Sequence, residues 1–148
     1  MEIVVPVRRL RSGAELPMCA HSTEEDAGMD LSYCGDAPIM LPPGGRAAIG
    51  TGIALQLPSG FEGQIRARSG LALHRGLTVL NGPGTIDPGY RGEVSVILVN
   101  LSNEEQVIKP GDRIAQLVVA PCAKVRLSEV GDLDSSARGE GGFGSSGT

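Results

Sequence analysis

Aromatic residues are scarce in this sequence. Tryptophan is absent, and phenylalanine and tyrosine together account for 3% of the 148 residues, although the hydrophobic content of 41% is ordinary for a globular protein. The core must therefore be built from Val, Ile, Leu and Ala side chains. Tyr90 and Phe143 stand among prolines and glycines, which favours contact with a ligand over a place in the core. The alternative is a tyrosine that packs on its own hairpin and a phenylalanine in a disordered tail.

Positive charge is also in short supply, since the chain carries a net charge of -4. Polymeric nucleic acids are bound mainly through clustered Lys and Arg, so we expect no nucleic-acid polymer as a partner, whereas a small phosphorylated ligand remains compatible. The three cysteines, Cys19, Cys34 and Cys122, are odd in number and lack CxxC spacing. This pattern is typical of reduced thiols in a cytosol.

No hydrophobic run is long enough to cross a bilayer. The longest, from Ile114 to Pro121, is interrupted by Gln116, and a transmembrane helix needs about 20 apolar residues. The N-terminus lacks a basic segment followed by an apolar one. We therefore expect a cytoplasmic protein without a membrane partner.

Short apolar patterns separated by Pro- and Gly-rich turn signals dominate the sequence as far as about residue 130. The clearest are the alternating sets Met29, Leu31, Tyr33 and Ile53, Leu55, Leu57, and the unbroken run Val94 to Val99. Many short strands with such turns predict an all-β sandwich or barrel. The unbroken run is too apolar to leave one face in water, so we expect a second sheet or another subunit to cover both of its faces.

Only one segment, Ser69 to Arg75, has the pattern of a helix of more than one turn, and Ser69 is its predicted N-cap. From about Val130 the composition changes, and Phe143 is the only large apolar side chain after Asp134. We divide the chain into an all-β domain, residues 1–130, and a glycine-rich arm, residues 131–148. Such a segment cannot fold alone and is usually a flexible tail, but Arg138 and Phe143 favour an arm that closes over a ligand.

Five glycine-bearing segments combine an acid, a base or an amide with backbone that can approach a ligand closely. In chain order they are residues 27–31 (AGMDL), 68–72 (RSGLA), 84–92 (GTIDPGYRG), 111–116 (GDRIAQ) and 138–147 (RGEGGFGSSG). Their order and content resemble the five motifs of the trimeric dUTP pyrophosphatases (dUTPases) across nearly the whole chain. One departure is Met29, which stands where an aromatic residue is common in that family.

This resemblance implies a homotrimer whose subunit is a jelly-roll-like distorted β-barrel or sandwich with one short helix and a flexible C-terminal arm. It also implies hydrolysis of dUTP to dUMP and pyrophosphate by attack of water on the α-phosphorus with Mg²⁺ as cofactor. Such a reaction supplies dUMP for thymidylate synthesis and keeps uracil out of DNA. Each arm would reach a site made by two other subunits.

The start of the predicted helix is a candidate seat for phosphate. Free backbone N–H groups at Ser69 and Gly70 and the helix dipole favour phosphate oxygens, and Arg68 adds a guanidinium. The alternative is a capped helix with an intersubunit arginine.

Gln116 is a polar residue in an apolar run and needs a partner if it is buried. The resemblance implies that this partner is a phosphate oxygen. Asp30 is the candidate to contact waters of an Mg²⁺ ion held chiefly by the three phosphates, or else a structural acid at a strand end.

A predicted hairpin is the candidate site for a nucleobase. Asn81 and Gly82 would begin it, and its other arm would carry Thr85, Ile86 and Asp87. Such a hairpin offers a row of backbone donors and acceptors to a flat base, which the resemblance implies to be uracil.

The resemblance also implies roles for residues at the end of this hairpin. The ring of Tyr90 would lie under the sugar, where it would exclude a 2′-hydroxyl. Asp87 would hold the 3′-hydroxyl and orient the attacking water, and a carboxylate suits both tasks because it accepts hydrogen bonds. The alternative for Asp87 is a surface turn. Ser95 would also line the pocket.

For the arm, the resemblance implies four contacts. Arg138 would pair with the γ-phosphate, Phe143 would stack on the uracil, and Gly144 and Ser145 would donate to phosphates.

Two alternatives stay open at this point. The related dCTP deaminases share the fold but carry a catalytic glutamate on the strand that follows, where this sequence has Ile97. A non-catalytic jelly roll that binds a nucleotide for regulation would keep the pocket without the reaction, although Asp87 speaks against it.

Overall fold

Short strands account for most of the regular structure in the residues that the computed structural model describes, namely 2–19, 25–145 and 147. The strands are β1 (Val7–Arg9), β2 (Met18–Cys19), β3 (Met29–Ser32), β4 (Ile39–Leu41), β5 (Arg46–Gly50), β6 (Ile53–Leu55), β7 (Phe61–Arg66), β8 (Leu77–Val79), β9 (Gly84–Ile86), β10 (Ser95–Asn100), β11 (Gln106–Ile108) and β12 (Arg113–Pro121). Within these ranges the chain has one helix, α1 (Ser69–Arg75). The predicted all-β class with one short helix is confirmed.

The strands form two main antiparallel sheets and two strand pairs. The larger sheet has the order β2-β3-β12-β7-β9, and the smaller has the order β5-β10-β8. Strands β1 and β6 form one pair and β11 and β4 the other. Strand β12 lies at the centre of the larger sheet, between β3 and β7, and therefore fixes the position of both.

Aliphatic side chains from all the sheets meet in one core. Among the most buried are Leu31, Ile49, Ile53, Leu77, Val96, Leu98, Ile108, Ile114 and Leu117. Burial of one such leucine or isoleucine stabilises the fold by about 2 kcal/mol relative to exposure. In the described part of the chain no aromatic side chain is fully buried, so the prediction of an aliphatic core is confirmed.

One face of β10 is open within the single chain. Val96 and Leu98 are buried, but Ser95 is exposed and Ile97 retains 36% of its accessible surface. The strand thus has the ordinary alternation of an antiparallel sheet over its first four residues. Within the described residues no second sheet covers this face, whose outward side chains Ser95 and Ile97 line a cleft. Cover by another subunit, the other option, stays a prediction.

The helix has the predicted bounds but a different N-cap. Arg68, with φ of −87° and ψ of 130°, is the N-cap residue, and no side chain caps the helix. The prediction of Ser69 as N-cap is wrong because Ser69 already lies within the first turn. At the other end Gly76 adopts the left-handed conformation, with φ of 63°, and its N–H donates to the carbonyl oxygen of Leu71.

The predicted hairpin from Asn81 to Asp87 is not formed. Strand β8 pairs with β10 in the smaller sheet, and β9 pairs with β7 in the larger. Because the ladder partners of both strands lie elsewhere, residues 80–83 carry the chain from one sheet to the other. The chain reverses later, in a turn in which the Tyr90 N–H donates to the Asp87 carbonyl oxygen at 3.0 Å.

A β-bulge shapes the start of β12. Arg113 pairs with Ser32 and Ala115 with Leu31, so Ile114 is the extra residue. The bulge places Ile114 and Ala115 both in the core and leaves Gln116 half-buried opposite Asp30.

Beyond β12 the described residues have neither helix nor strand. In the described ranges there is no helix of the length and hydropathy that a membrane span requires.

Candidate active site

A cleft of about 270 Å³ lies between β9, the turn that follows it and the open face of β10. We call it the tyrosine cleft. It is lined by Ala48, Ile65, Asn81, Gly84, Thr85, Ile86, Asp87, Tyr90, Glu93, Val94, Ser95 and Ile97. Six predicted ligand-binding residues therefore meet in one place, even though the hairpin expected to join them is absent.

The polar groups of this cleft lie around an apolar floor. Within the described part of the chain, the side chains of Asn81, Thr85, Asp87 and Ser95 form no hydrogen bond, and all four are exposed. Apolar side chains contributed by neighbouring strands lie beneath them. Apolar walls with a few convergent polar groups are the usual composition of a small-molecule site.

Asn81 lies over a glycine at the entry to β9. An added Cβ at Gly84 would lie 3.3 Å from Asn81 Nδ2 and 3.3 Å from Ile65 Cβ. A larger residue at position 84 would therefore require the Asn81 amide or Ile65 to shift slightly.

The turn after β9 presents Asp87 and Tyr90 together. The Tyr90 hydroxyl donates to the carbonyl oxygen of Glu93 at 2.9 Å, and the ring remains 46% exposed. The predicted exposure of this aromatic residue is confirmed. A carboxylate and an aromatic face thus border the same open space.

A second space of about 450 Å³ lies beside the start of α1 and is called here the arginine pocket. Its lining consists of Asp26, Ala27, Gly28, Asp30, Arg68, Ser69, Gly70 and Gln116. Three of the five sequence motifs therefore meet here, which brings together the predicted phosphate seat, Gln116 and Asp30.

Asp30 is the electrostatic centre of the arginine pocket. Its Oδ1 accepts Arg68 Nε at 2.9 Å and its Oδ2 accepts Arg113 Nη1 at 3.0 Å, with 11% of the Asp30 side chain exposed. Arg68 Nη1 also donates to the carbonyl oxygen of Arg113 at 3.3 Å. These contacts favour the structural role of Asp30, although a carboxylate has lone pairs for further donors such as water.

Gln116 has a protein partner. Its Nε2 donates to the carbonyl oxygen of Ala67 at 2.9 Å, so one N–H of the amide is satisfied within the chain and one remains for another acceptor. The predicted contact with a phosphate oxygen therefore concerns the second N–H and stays a prediction. Gly28 makes room for the amide, since an added Cβ there would collide with Gln116 Oε1.

The C-terminal arm lies apart from both spaces. Arg138 Nε donates to the Gly141 carbonyl oxygen at 2.7 Å, and Phe143 is fully exposed. In the described residues of the arm, the hydrogen bonds that involve Gly144 and Ser145 also stay within it.

Gly82 borders a third space, with Pro83 and Val79, and not the tyrosine cleft.

The sequence alone suggested no role for Arg113 or for Glu93. Arg113 holds Asp30 from the bulged start of β12, and Glu93 lines the tyrosine cleft. Arg113 lies in a quoted motif, but the β3–β12 register places Gln116 and not Arg113 opposite Asp30, so no sequence signal pairs Arg113 with this acid. Glu93 could not have been found from the sequence either. The group that it binds is the backbone N–H of Gly52, and the sequence does not indicate which backbone N–H a carboxylate accepts.

The fold and these two spaces define a jelly-roll-like β protein with a small-molecule cleft and a separate, arginine-bordered pocket. The sequence profile of the dUTPase family matches residues 14–147. The chain belongs to the dUTPase family.

Full-length relatives agree with this assignment. The deoxyuridine 5′-triphosphate nucleotidohydrolase of Anaplasma marginale (strain St. Maries) is 51% identical over 144 residues, which covers 97% of this chain and 98% of the relative. The protein of the same name from Syntrophotalea carbinolica is 52% identical over 145 residues, covering 98% and 97%. The predictions of the family and of an enzyme are confirmed.

Solved structures show the same fold. The dUTPase of Staphylococcus bacteriophage 80alpha with dUpNHpp superimposes with a TM-score of 0.84 at 29% identity, covering 98% of this chain and 99% of the other. A point mutant of the dUTPase from phage phi11 of S. aureus, described with a structural Mg(II) ion, gives a TM-score of 0.80 at 26% identity and covers 90% and 100%. The predicted jelly-roll-like fold is confirmed.

Proposed function

We propose that this protein hydrolyses dUTP to dUMP and pyrophosphate, and so supplies dUMP for thymidylate synthesis and keeps uracil out of DNA. The observation that carries the proposal is the tyrosine cleft. It joins an amide, a carboxylate and an aromatic ring, at Asn81, Asp87 and Tyr90, over an apolar floor. Membership of the dUTPase family and the names of the relatives support the same substrate.

The base and the sugar occupy the tyrosine cleft in this proposal. Asn81, Thr85 and Ile86 offer amide, hydroxyl and backbone groups to the edge of uracil. Cytosine presents a donor where uracil presents an acceptor, and each buried polar group left unpaired costs about 1–3 kcal/mol. In this proposal the site also excludes the methyl group of thymine, and the ring of Tyr90 excludes a 2′-hydroxyl.

Asp87 orients the attacking water. Its carboxylate is exposed at the end of β9 and forms no hydrogen bond in the described part of the chain, so it is available to accept a proton from water. Attack in line with the bond to the leaving pyrophosphate needs no covalent intermediate. The acceleration comes from positioning and from stabilisation of developing charge.

The phosphates contact residues of the arginine pocket and of the arm. The first-turn N–H groups at Ser69 and Gly70 lack intrahelical partners, and the remaining N–H of Gln116 is available to a phosphate oxygen. Arg68 contributes positive charge, although Asp30 already holds its Nε. Arg138 pairs with the γ-phosphate when the arm closes.

In this proposal Gly144 and Ser145 donate to the phosphates from the closed arm, and Phe143 stacks on the uracil. Full exposure of the Phe143 ring suits such a contact, because an apolar ring gains by leaving water.

The residues present fit a magnesium ion that the triphosphate itself holds. The described part of the chain has no group of three or more His, Cys, Asp or Glu side chains that could hold a metal, and Asp30 is already bound by two guanidiniums. Asp30 would therefore contact the ion through water. Bound magnesium would neutralise charge on the phosphates and the leaving pyrophosphate.

We further propose that the active protein is a homotrimer. The tyrosine cleft and the arginine pocket have no lining residue in common among the described residues, and the arm contacts neither. A single nucleotide can engage all three parts if they come from different subunits.

The segment after β12 supports this assembly. Residues 123–128 alternate apolar and polar side chains like a strand, yet Val125 is 73% and Leu127 91% exposed. A strand of this pattern gains stability by pairing with the sheet of another copy. An apolar groove lined by Ile3, Val5, Val7, Leu16, Met29, Leu55, Leu117 and Val119 is a suitable receptor.

The alternative of a deaminase finds little support. Ile97, which stands where the deaminases carry a catalytic glutamate, lines the tyrosine cleft, and an apolar side chain cannot transfer protons to a base. Release of ammonia from dCTP would favour that alternative.

All three cysteines are free, which supports the proposal of a cytoplasmic protein.

The position of attack distinguishes this reaction from other ways of cleaving dUTP. Hydrolysis in water labelled with the heavy oxygen isotope should place the label in dUMP, because water attacks the α-phosphorus. Mass spectrometry of both products measures this. Label in pyrophosphate would place the attack on the β-phosphorus and contradict the proposal.

A further inference from the structure

The ring of Tyr90 rests on two consecutive residues to which the sequence analysis assigned no role. An added Cβ at Gly92 would lie 2.5 Å from the Tyr90 Oη and 2.6 Å from its Cζ, so the ring covers this glycine. The hydroxyl at the tip of the ring donates to the carbonyl oxygen of Glu93 at 2.9 Å. Contacts to both residues thus fix the position of the ring.

Glu93 is in turn anchored to the turn between β5 and β6. Its Oε1 accepts the N–H of Gly52 at 2.8 Å. Gly50 leaves space for this carboxylate, because an added Cβ there would lie 2.5 Å from the same oxygen. The next residue, Val94, is held by the same turn, since Thr51 Oγ1 donates to its carbonyl oxygen at 2.6 Å.

The turn itself has little freedom to follow a moving Glu93. Gly52 adopts φ of 70°, in the left-handed region that favours glycine. A Cβ there would meet Cys34 Sγ at 2.8 Å and Ala14 Cβ at 2.9 Å. The anchor point for Glu93 is therefore packed against the body of the protein.

We infer that Gly92 and Glu93 are positioning residues that set the place of the Tyr90 ring, and through it the discrimination between deoxyribose and ribose nucleotides. The inference rests on the proposed function, in which this ring excludes the 2′-hydroxyl. Gly92 contributes the absence of a side chain. Glu93 contributes a hydrogen-bond acceptor and not a charge, because its partner is a neutral backbone N–H.

The test compares the ratio of kcat/KM for dUTP to kcat/KM for UTP in five variants. Gly92→Ala displaces the ring, and Glu93→Ala removes the acceptor for Gly52. Each should lower the ratio by about tenfold or more, since small displacements in a site have effects of this size. Tyr90→Ala should lower it as well.

Two matched variants serve as controls. An added Cβ at Gly89 has no atom within 4 Å, and this glycine lies outside the left-handed region. Glu93→Gln keeps the acceptor. Gly89→Ala and Glu93→Gln should therefore leave the ratio within about twofold of wild type.

Circular dichroism and sedimentation show whether each variant folds and assembles, and if Gly92→Ala does not fold, the two Glu93 variants suffice. A wild-type ratio in both Gly92→Ala and Glu93→Ala, with a lowered ratio in Tyr90→Ala, would overturn the inference but leave the proposed function intact. Equal losses in Glu93→Gln and Glu93→Ala would overturn the role of Glu93 as an acceptor. A wild-type ratio in Tyr90→Ala would overturn the sugar contact of the proposed function itself.

Discussion

Individual residues in this protein owe their places to close contacts that the sequence indicates only in part. The motif around Gly28 predicted a close backbone approach, and the structure shows that the approaching group is the amide of Gln116. The same holds for Gly92 beneath Tyr90. Gly28 and Gly92 thus occupy crowded positions, whereas Gly89 in the same motif as Gly92 does not. The sequence does not distinguish these cases, because the crowding group belongs to a segment distant in sequence or depends on a side-chain rotamer.

Gly28→Ala should weaken substrate binding without unfolding the protein. The new methyl group would displace the end of the Gln116 side chain, which is flexible, from its hydrogen bond to Ala67. We expect the KM for dUTP to rise by about tenfold, with little change in thermal unfolding. Pyrophosphate release as a function of dUTP concentration measures this. Gly131→Ala, where an added Cβ has no close neighbour, is the control, and equal KM values in the two variants would contradict the role of Gln116.

Elements were predictable where the signal is local. The helix from Ser69 to Arg75 was predicted with its bounds because its sequence signals are local. Its N-cap was placed one residue too late, because Ser69 already lies within the first turn. The predicted hairpin failed for a different reason. Pairing of β8 with β10 and of β9 with β7 is set by long-range contacts, which turn signals near Asn81 do not encode.

The arm is the element whose role the sequence indicates most strongly, and the isolated chain leaves it unattached. Truncation after Asp134 should leave a folded trimer, because the described residues beyond that point contribute nothing to the core. Turnover should fall by at least about 100-fold, since closure completes the site and excludes water. Steady-state pyrophosphate release and sedimentation measure the two outcomes. A truncated protein with full activity would show that the arm has no part in catalysis.

At the scale of the whole molecule, one chain carries all the predicted residues but divides them among the tyrosine cleft, the arginine pocket, the third space at Gly82 and the arm. The class could be predicted from the sequence because the five motifs lie in order along the chain, whereas the membership of the site stays a prediction. The sequence could not predict this division, which depends on how the two sheets orient the ends of their strands.

Leu127→Asp should weaken the trimer. Leu127 is 91% exposed in the single chain, and a charge at this apolar position would oppose strand pairing with a neighbour. We expect a clear shift toward monomer in sedimentation at micromolar protein, with parallel loss of activity. Ser128→Asp adds the same charge on the other side of the alternating segment and should remain trimeric. Identical sedimentation of the two variants would argue against this segment as an intersubunit strand.

The most direct test of the central claim is pyrophosphate release from dUTP, dCTP, dTTP and UTP with magnesium, measured for wild type and Asp87→Asn. The account predicts rapid turnover of dUTP, values of kcat/KM for the other three lower by at least about 100-fold, and loss of at least about 100-fold in kcat for Asp87→Asn. Comparable turnover of all four nucleotides, or an Asp87→Asn variant as active as wild type, would contradict it.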